Sequence, residues 1–120
     1  MTPKRILLVH DDVNSAKLMR IVLEEKNYDV HHITSCIDAL PHLQTPNIHI
    51  YSHIVLDSTL PDGQFETLAR TARDRGYKSR IVITGSSGKA NKKRTMGIPN
   101  LAYFEIGTHD AFDLPLFLEN

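Results

Sequence analysis

Apolar residues fall along this chain in short runs separated by stretches with helical spacing. The runs cover residues 6–9, 28–33, 54–56, 81–83 and 101–106. The first, third and fourth are β-branched or leucine-rich and apolar on consecutive positions, as in central strands buried on both faces of a parallel sheet. Between them, residues 15–26 bring Leu18, Ile21, Val22 and Glu25 to one face, with Asn14 or Ser15 as N-cap. Residues 65–75 align Phe65, Leu68, Ala69 and Ala72 and leave Arg70, Arg73 and Arg75 for solvent, with Gly76 placed to end that helix. Shorter helices are predicted at 38–44, with Pro41 in the first turn, and near 110–118, which carries Pro115. Residues 47–53 alternate Ile48 and Ile50 with His49 and Tyr51, which fits a padded loop or an edge strand. Five strand-then-helix alternations predict a doubly wound (βα)5 sandwich with right-handed crossovers, in one domain spanning residues 1–120.

Composition narrows the class. The 120 residues carry 14 Lys+Arg against 14 Asp+Glu, so no global charge favours nucleic acid or an anionic membrane. Cys36 is the sole cysteine, which excludes an internal disulfide and suits a reducing compartment. The opening MTPKR leads directly into the first apolar run without a signal-like segment. No run approaches the roughly 20 residues of a membrane span. A soluble, cytoplasmic protein is expected.

In open parallel sheets, ligands bind beyond the carboxyl ends of the strands, where strand order reverses. Strand 1 ends in LLVHDD, which delivers His10, Asp11 and Asp12. Strand 3 ends on Asp57 in IVLD, and strand 4 on Thr84 in IVIT. In the commonest five-strand order, 2-1-3-4-5, these three strands are neighbours about 4.8 Å apart. Asp11 and Asp57 would then approach closely, and two carboxylates that near each other favour a cation between them. Oxygen ligands with room for water suit Mg²⁺ better than zinc or copper. The alternative for any single aspartate is a turn or N-cap.

RILLVHDD, IVLDSTLPDG and RIVITG together resemble the receiver domain of bacterial two-component response regulators, over essentially the whole chain. The resemblance implies a CheY-like, flavodoxin-like fold and a signalling module rather than an enzyme. It implies that Asp57 accepts a phosphoryl group, with Asp11, Asp57 and the backbone carbonyl of Thr59 around Mg²⁺. It further implies that Thr84 is the switch hydroxyl and Tyr103 the aromatic switch on strand 5. A histidine kinase or phosphotransfer protein would supply the phosphoryl group. Downstream partners would dock on the face formed by residues 89–118.

Several positions depart from the family pattern. His10 stands where an acid normally follows the strand-1 valine, so Mg²⁺ binding should be weakened; His10 or Asp12 would contact the ion only indirectly. Asp12 cannot replace the missing acid, because one step along a strand reverses the side chain's face. The family's lysine after strand 5 is absent: Ile106 or Gly107 occupies its place, and no Lys or Arg follows Arg94. His109 and Lys89 are the candidate substitutes. The basic stretch KANKKR, residues 89–94, could pair head-to-tail with Glu105, Asp110, Asp113 and Glu119 of a second copy in a weak homodimer. GSSGKA lacks the spacing of a P-loop, no Gly-rich nucleotide fingerprint follows strand 1, and no histidine pair has a dedicated zinc spacing. Two functions follow: a phospho-receiver, or a pseudo-receiver that acts as a phosphorylation-independent interaction module.

Overall fold

The computed structural model describes residues 3–62, 64–86, 88–105 and 110–118. The elements are β1 (Lys4–Val9), α1 (Val13–Glu25), β2 (Tyr28–Ile33), α2 (Cys36–Leu43), β3 (Tyr51–Asp57), α3 (Phe65–Asp74), β4 (Ile81–Gly85), α4 (Gly88–Arg94), β5 (Leu101–Glu105) and α5 (Leu114–Leu118). Short 3₁₀ helices at Pro46–Ile50 and Ala111–Asp113 precede β3 and α5. All strand pairs are parallel, and the sheet order is β2-β1-β3-β4-β5, the commonest five-strand order and the one the receiver resemblance implies.

The unbroken apolar runs have a direct structural meaning. In β1, Leu7 and Val9 join a core with α2 and α3, while Ile6 and Leu8 join a second core with α1 and α5. Because a strand's side chains alternate faces, a strand covered on both sides must be apolar at every position. β4 is buried along its whole length for the same reason. The apolar face and the end of α3 are as predicted: Phe65, Leu68, Ala69 and Ala72 are buried, and Gly76 adopts φ +82° just past the helix.

Five local expectations are corrected. Helix α1 starts at Val13 with Asp12 as N-cap, rather than Asn14 or Ser15; Asp12 accepts hydrogen bonds from the N–H groups of Asn14 and Ser15. Its inward face is Ala16, Met19, Val22 and Leu23, leaving Leu18 and Ile21 nearly half exposed. Helix α2 starts earlier, at Cys36 after the Ser35 cap, which places Pro41 inside the helix rather than in its first turn. Residues 46–50 form neither a padded loop nor an edge strand. Thr45 caps a 3₁₀ helix that begins with Pro46 and buries Ile48, and β3 then runs from Tyr51. Arg73 is not a solvent-facing residue. Its guanidinium donates to the backbone carbonyls of Tyr77, Ser79, Pro99 and Asn100, tying the end of α3 to the segments before β4 and β5.

Candidate functional site

The carboxyl ends of β1, β3 and β4 converge on one acidic cluster. Asp57 and Thr84 are register partners on β3 and β4, and both are buried. The two oxygens of Asp57 are held differently. Oδ2 accepts from the Thr59 N–H at 3.2 Å and from the Thr59 hydroxyl, an Asx-type turn that ends β3. Oδ1 has only long contacts: the Thr84 hydroxyl donates to it from 3.4 Å, and His10 Nε2 stands 3.7 Å away. Oδ1 is therefore the less committed oxygen, and it faces two potential donors.

Strand β1 delivers its polar residues in three different ways. His10 is 4% exposed, and its backbone is fixed on both sides. Its N–H donates to Ile33 O at 3.0 Å, and its carbonyl is 2.8 Å from His32 Nε2, which must carry the proton to donate there. Asp11 is exposed, with Oδ1 3.8 Å from His10 Nδ1. Asp12 lies outside the cluster as the α1 cap, its Oδ2 accepting from the Ser15 hydroxyl at 2.9 Å; these hydrogen bonds, led by that from Ser15, hold its carboxyl below the usual carboxylate range. Each of His10, Asp11 and Asp57 offers one potential ligand atom, all within 4.8 Å of one another.

These residues fit a hard divalent cation through two carboxylates rather than three ligands. The Asp12 N–H donates to His10 Nδ1 at 3.1 Å, so in the neutral ring Nδ1 is the acceptor and Nε2 carries the proton. A protonated nitrogen has no lone pair to offer a metal.

The two residues predicted as switches, Thr84 and Tyr103, lie on β4 and β5. Thr84 is fully buried, and its carbonyl accepts from the Ser58 N–H at 2.8 Å, which binds the β3 turn to β4. The next residue, Gly85, touches that same turn: a Cβ there would come within 2.1 Å of Ser58 Oγ and 2.8 Å of Asn91 Nδ2. Tyr103 is half-buried on β5, and its hydroxyl meets Thr95 Oγ1, which in turn donates to Asn91 O at 2.7 Å. Since the threonine proton goes to Asn91, the tyrosine donates to Thr95. Lys92 Nζ lies over the Tyr103 ring, 5.5 Å from its centroid.

Other sequence candidates are dispersed. Lys89 is exposed at the start of α4. Ile106, Gly107, His109 and Glu119 lie outside the described residues. Within the basic stretch, Arg94 turns back onto α3, paired with Glu66 at 2.8 Å and stacked over Phe65 at 4.5 Å. Asp110 accepts from the Phe112 N–H at 2.9 Å as a helix cap. Asp62, in the LPDG segment, has a role the sequence did not announce. Its two carboxylate oxygens accept from the N–H groups of Cys36 and Ile37, at 3.0 and 3.1 Å, which ties the loop after β3 to the start of α2. The Cys36 hydrogen bond, then that from Ile37, lowers its pKa.

Comparison with known structures agrees with this topology. The response regulator receiver protein from Sinorhizobium medicae WSM419 superposes with a TM-score of 0.83, at 19% identity, over 97% of this chain and 91% of that one. The chemotaxis response regulator CheY4 of Vibrio cholerae gives 0.82 at 16% identity over 98% of both chains. This is the receiver-domain fold. A CheY-like receiver domain from Methylobacillus flagellatus gives 0.79 at 22% identity, over 98% of this chain and 97% of that one. In sequence, 88 residues are 32% identical to the response regulator ArlR of Staphylococcus saprophyticus, covering 73% of this chain and 39% of that protein. The matched stretch thus spans about two fifths of that relative's length. No family model matches the chain. No helix among the described residues is long and apolar enough to cross a membrane.

Proposed function

We propose that the chain is a phospho-receiver, in which Asp57 accepts a phosphoryl group from a histidine kinase or phosphotransfer protein and the change is read out through protein contacts. The observation that carries this reading is the asymmetry of Asp57. Thr59 fixes one carboxylate oxygen, while the other is loosely held and faces Thr84 at the carboxyl edge of the receiver fold. In the transfer, Oδ1 attacks phosphorus, the bond from phosphorus to the donor nitrogen breaks, and the imidazole leaves with the electron pair. Asp11, Asp57 and the Thr59 backbone carbonyl would hold Mg²⁺, which neutralises charge on the phosphoryl oxygens. Thr84 then follows a phosphoryl oxygen, and the shift passes along β4 to β5 and Tyr103. The face formed by residues 89–118 is the proposed docking surface.

The test is beryllofluoride with Mg²⁺, followed by amide chemical shifts. The phospho-receiver reading expects changes at Asp57–Thr59 and Thr84. A folded chain whose amides do not respond at millimolar reagent would be a pseudo-receiver, working through contacts alone.

A further inference from the structure

The geometry points to His10 as a fixed hydrogen-bond donor to the phosphoryl group carried by Asp57, rather than a metal ligand or an inert filler. This inference rests on the phospho-receiver reading.

His10 is held at three places, two on its backbone and one on its ring. Its backbone N–H is bound to Ile33, its carbonyl is bound by His32, and Nδ1 accepts the Asp12 N–H. Only Nε2 remains. Among the described residues it is the one buried side-chain nitrogen or oxygen without a hydrogen-bond partner. The Nδ1 bond dictates that this nitrogen bears the proton, so the orphan is a donor. Asp57 Oδ1 lies 3.7 Å from it, too far for a hydrogen bond.

A buried donor left unmatched is costly, and the cost is recovered when an oxygen enters the gap. A phosphoryl group on Oδ1 brings three oxygens into the space that His10 Nε2–H and the Thr84 hydroxyl already border. The donor set on this side of the phosphoryl group would then be one imidazole N–H and one hydroxyl. This matters in a chain that has no Lys or Arg after Arg94. In a water-poor site, a prepositioned N–H recognises a phosphoryl oxygen without needing a full positive charge. An acid at position 10 would present only acceptors to the same oxygen.

The experiment uses the whole chain with ¹⁵N-labelled histidine, followed by long-range ¹H–¹⁵N correlation spectra. Spectra are taken alone, with saturating Mg²⁺, and with Mg²⁺ plus beryllofluoride. The proton of His10 should stay on Nε2 throughout, and its resonance should move when beryllofluoride is added. Loss of that proton on Mg²⁺ addition would make Nε2 a metal ligand and overturn the inference. An unmoved Nε2–H, with amides around Asp57 responding, would overturn it while leaving the phospho-receiver reading intact. No response anywhere would defeat that reading and remove this inference with it. A second arm compares beryllofluoride affinity in variants. His10→Gln, which can place an amide donor near Nε2, should stay within about threefold of the wild type. His10→Leu should bind about tenfold more weakly, the loss of roughly one hydrogen bond. Equal affinity in all three proteins would contradict the assignment. If His10→Leu does not fold, the Gln variant and the spectra decide.

Discussion

Thr84 Oγ1 stands 3.4 Å from Asp57 Oδ1 across the β3–β4 register, with Asp57 and Thr84 as direct Cα partners. A change in what Asp57 carries is therefore felt first by a fully buried hydroxyl on the adjacent strand. Thr84→Ala removes that hydroxyl and little volume. Beryllofluoride should still shift amides at Asp57–Thr59 in this variant, but the shifts at Thr95 and Tyr103 should shrink to less than about half of wild type. Equal spread in both proteins would show that the signal does not pass through Thr84.

His10→Asp places a third carboxylate beside Asp11 and Asp57. Without a cation, like charges at this spacing oppose one another, so the variant should melt lower than wild type in chelator. With Mg²⁺ the order should narrow or reverse, because binding to the folded state stabilises it by mass action. Mg²⁺ affinity should rise about tenfold, read by titration calorimetry. An unchanged affinity would mean that position 10 does not border the cation site.

Arg73 gathers four backbone carbonyls from the segments before β4 and β5. Removing it strips this donor from the partly buried Tyr77 carbonyl and from three carbonyls that stay open to water. Arg73→Ala should cost about 1–2 kcal/mol in urea unfolding, the low end of the scale of hydrogen bonds to charged groups, because water can replace the donor at the three exposed carbonyls. Arg73→Lys should restore less than half of that, because a single ammonium cannot fork to several carbonyls. Full rescue by lysine would reduce the role to simple charge.

His53 lies between β3 and the C-terminal helix, with Nε2 2.8 Å from Leu118 O and Nδ1 2.9 Å from Ser52 Oγ. Burial lowers its pKa; Lys4 and Arg80 push the same way, and the bond to Leu118 opposes them. The unfolded chain then binds the proton more readily than the folded one. Stability should be unaffected above about pH 7 and should fall as pH drops through the ordinary histidine value near 6.5. His31, whose pKa is lowered mainly by burial, adds a slope of the same sign. His53→Gln should flatten the pH dependence of urea midpoints between pH 7 and 5; an identical slope would assign it elsewhere.

The strands and their order were legible because runs such as 6–9 and 81–83 are apolar on both faces, which only a doubly covered sheet requires. The inward face of α1 was not. Leu18 and Ile21 are conspicuous in sequence, yet the sheet accepts Ala16 and Met19, smaller or more adaptable side chains that fit closer to β1. The 3₁₀ helix before β3 did carry a signal, the Thr45-Pro46 pair of a cap and first-turn proline, obscured by the alternation that follows it. Of the site, Asp57 next to Thr84 could be read from strand ends. The proton on His10 Nε2 could not, because it follows from one backbone N–H, that of Asp12, turning back to Nδ1 at the start of α1. The carbonyl contacts of Arg73 likewise join segments distant in sequence and leave no periodic trace.

Asp57 is the group expected to take the phosphoryl. Intact-mass spectrometry after incubation with acetyl phosphate and Mg²⁺ tests it most directly. The wild-type chain should gain the mass of one phosphoryl group, lose it again at alkaline pH as acyl phosphates do, and show no gain as Asp57→Ala. A folded wild-type chain that gains nothing, or an Asp57→Ala chain that gains as much, would contradict it.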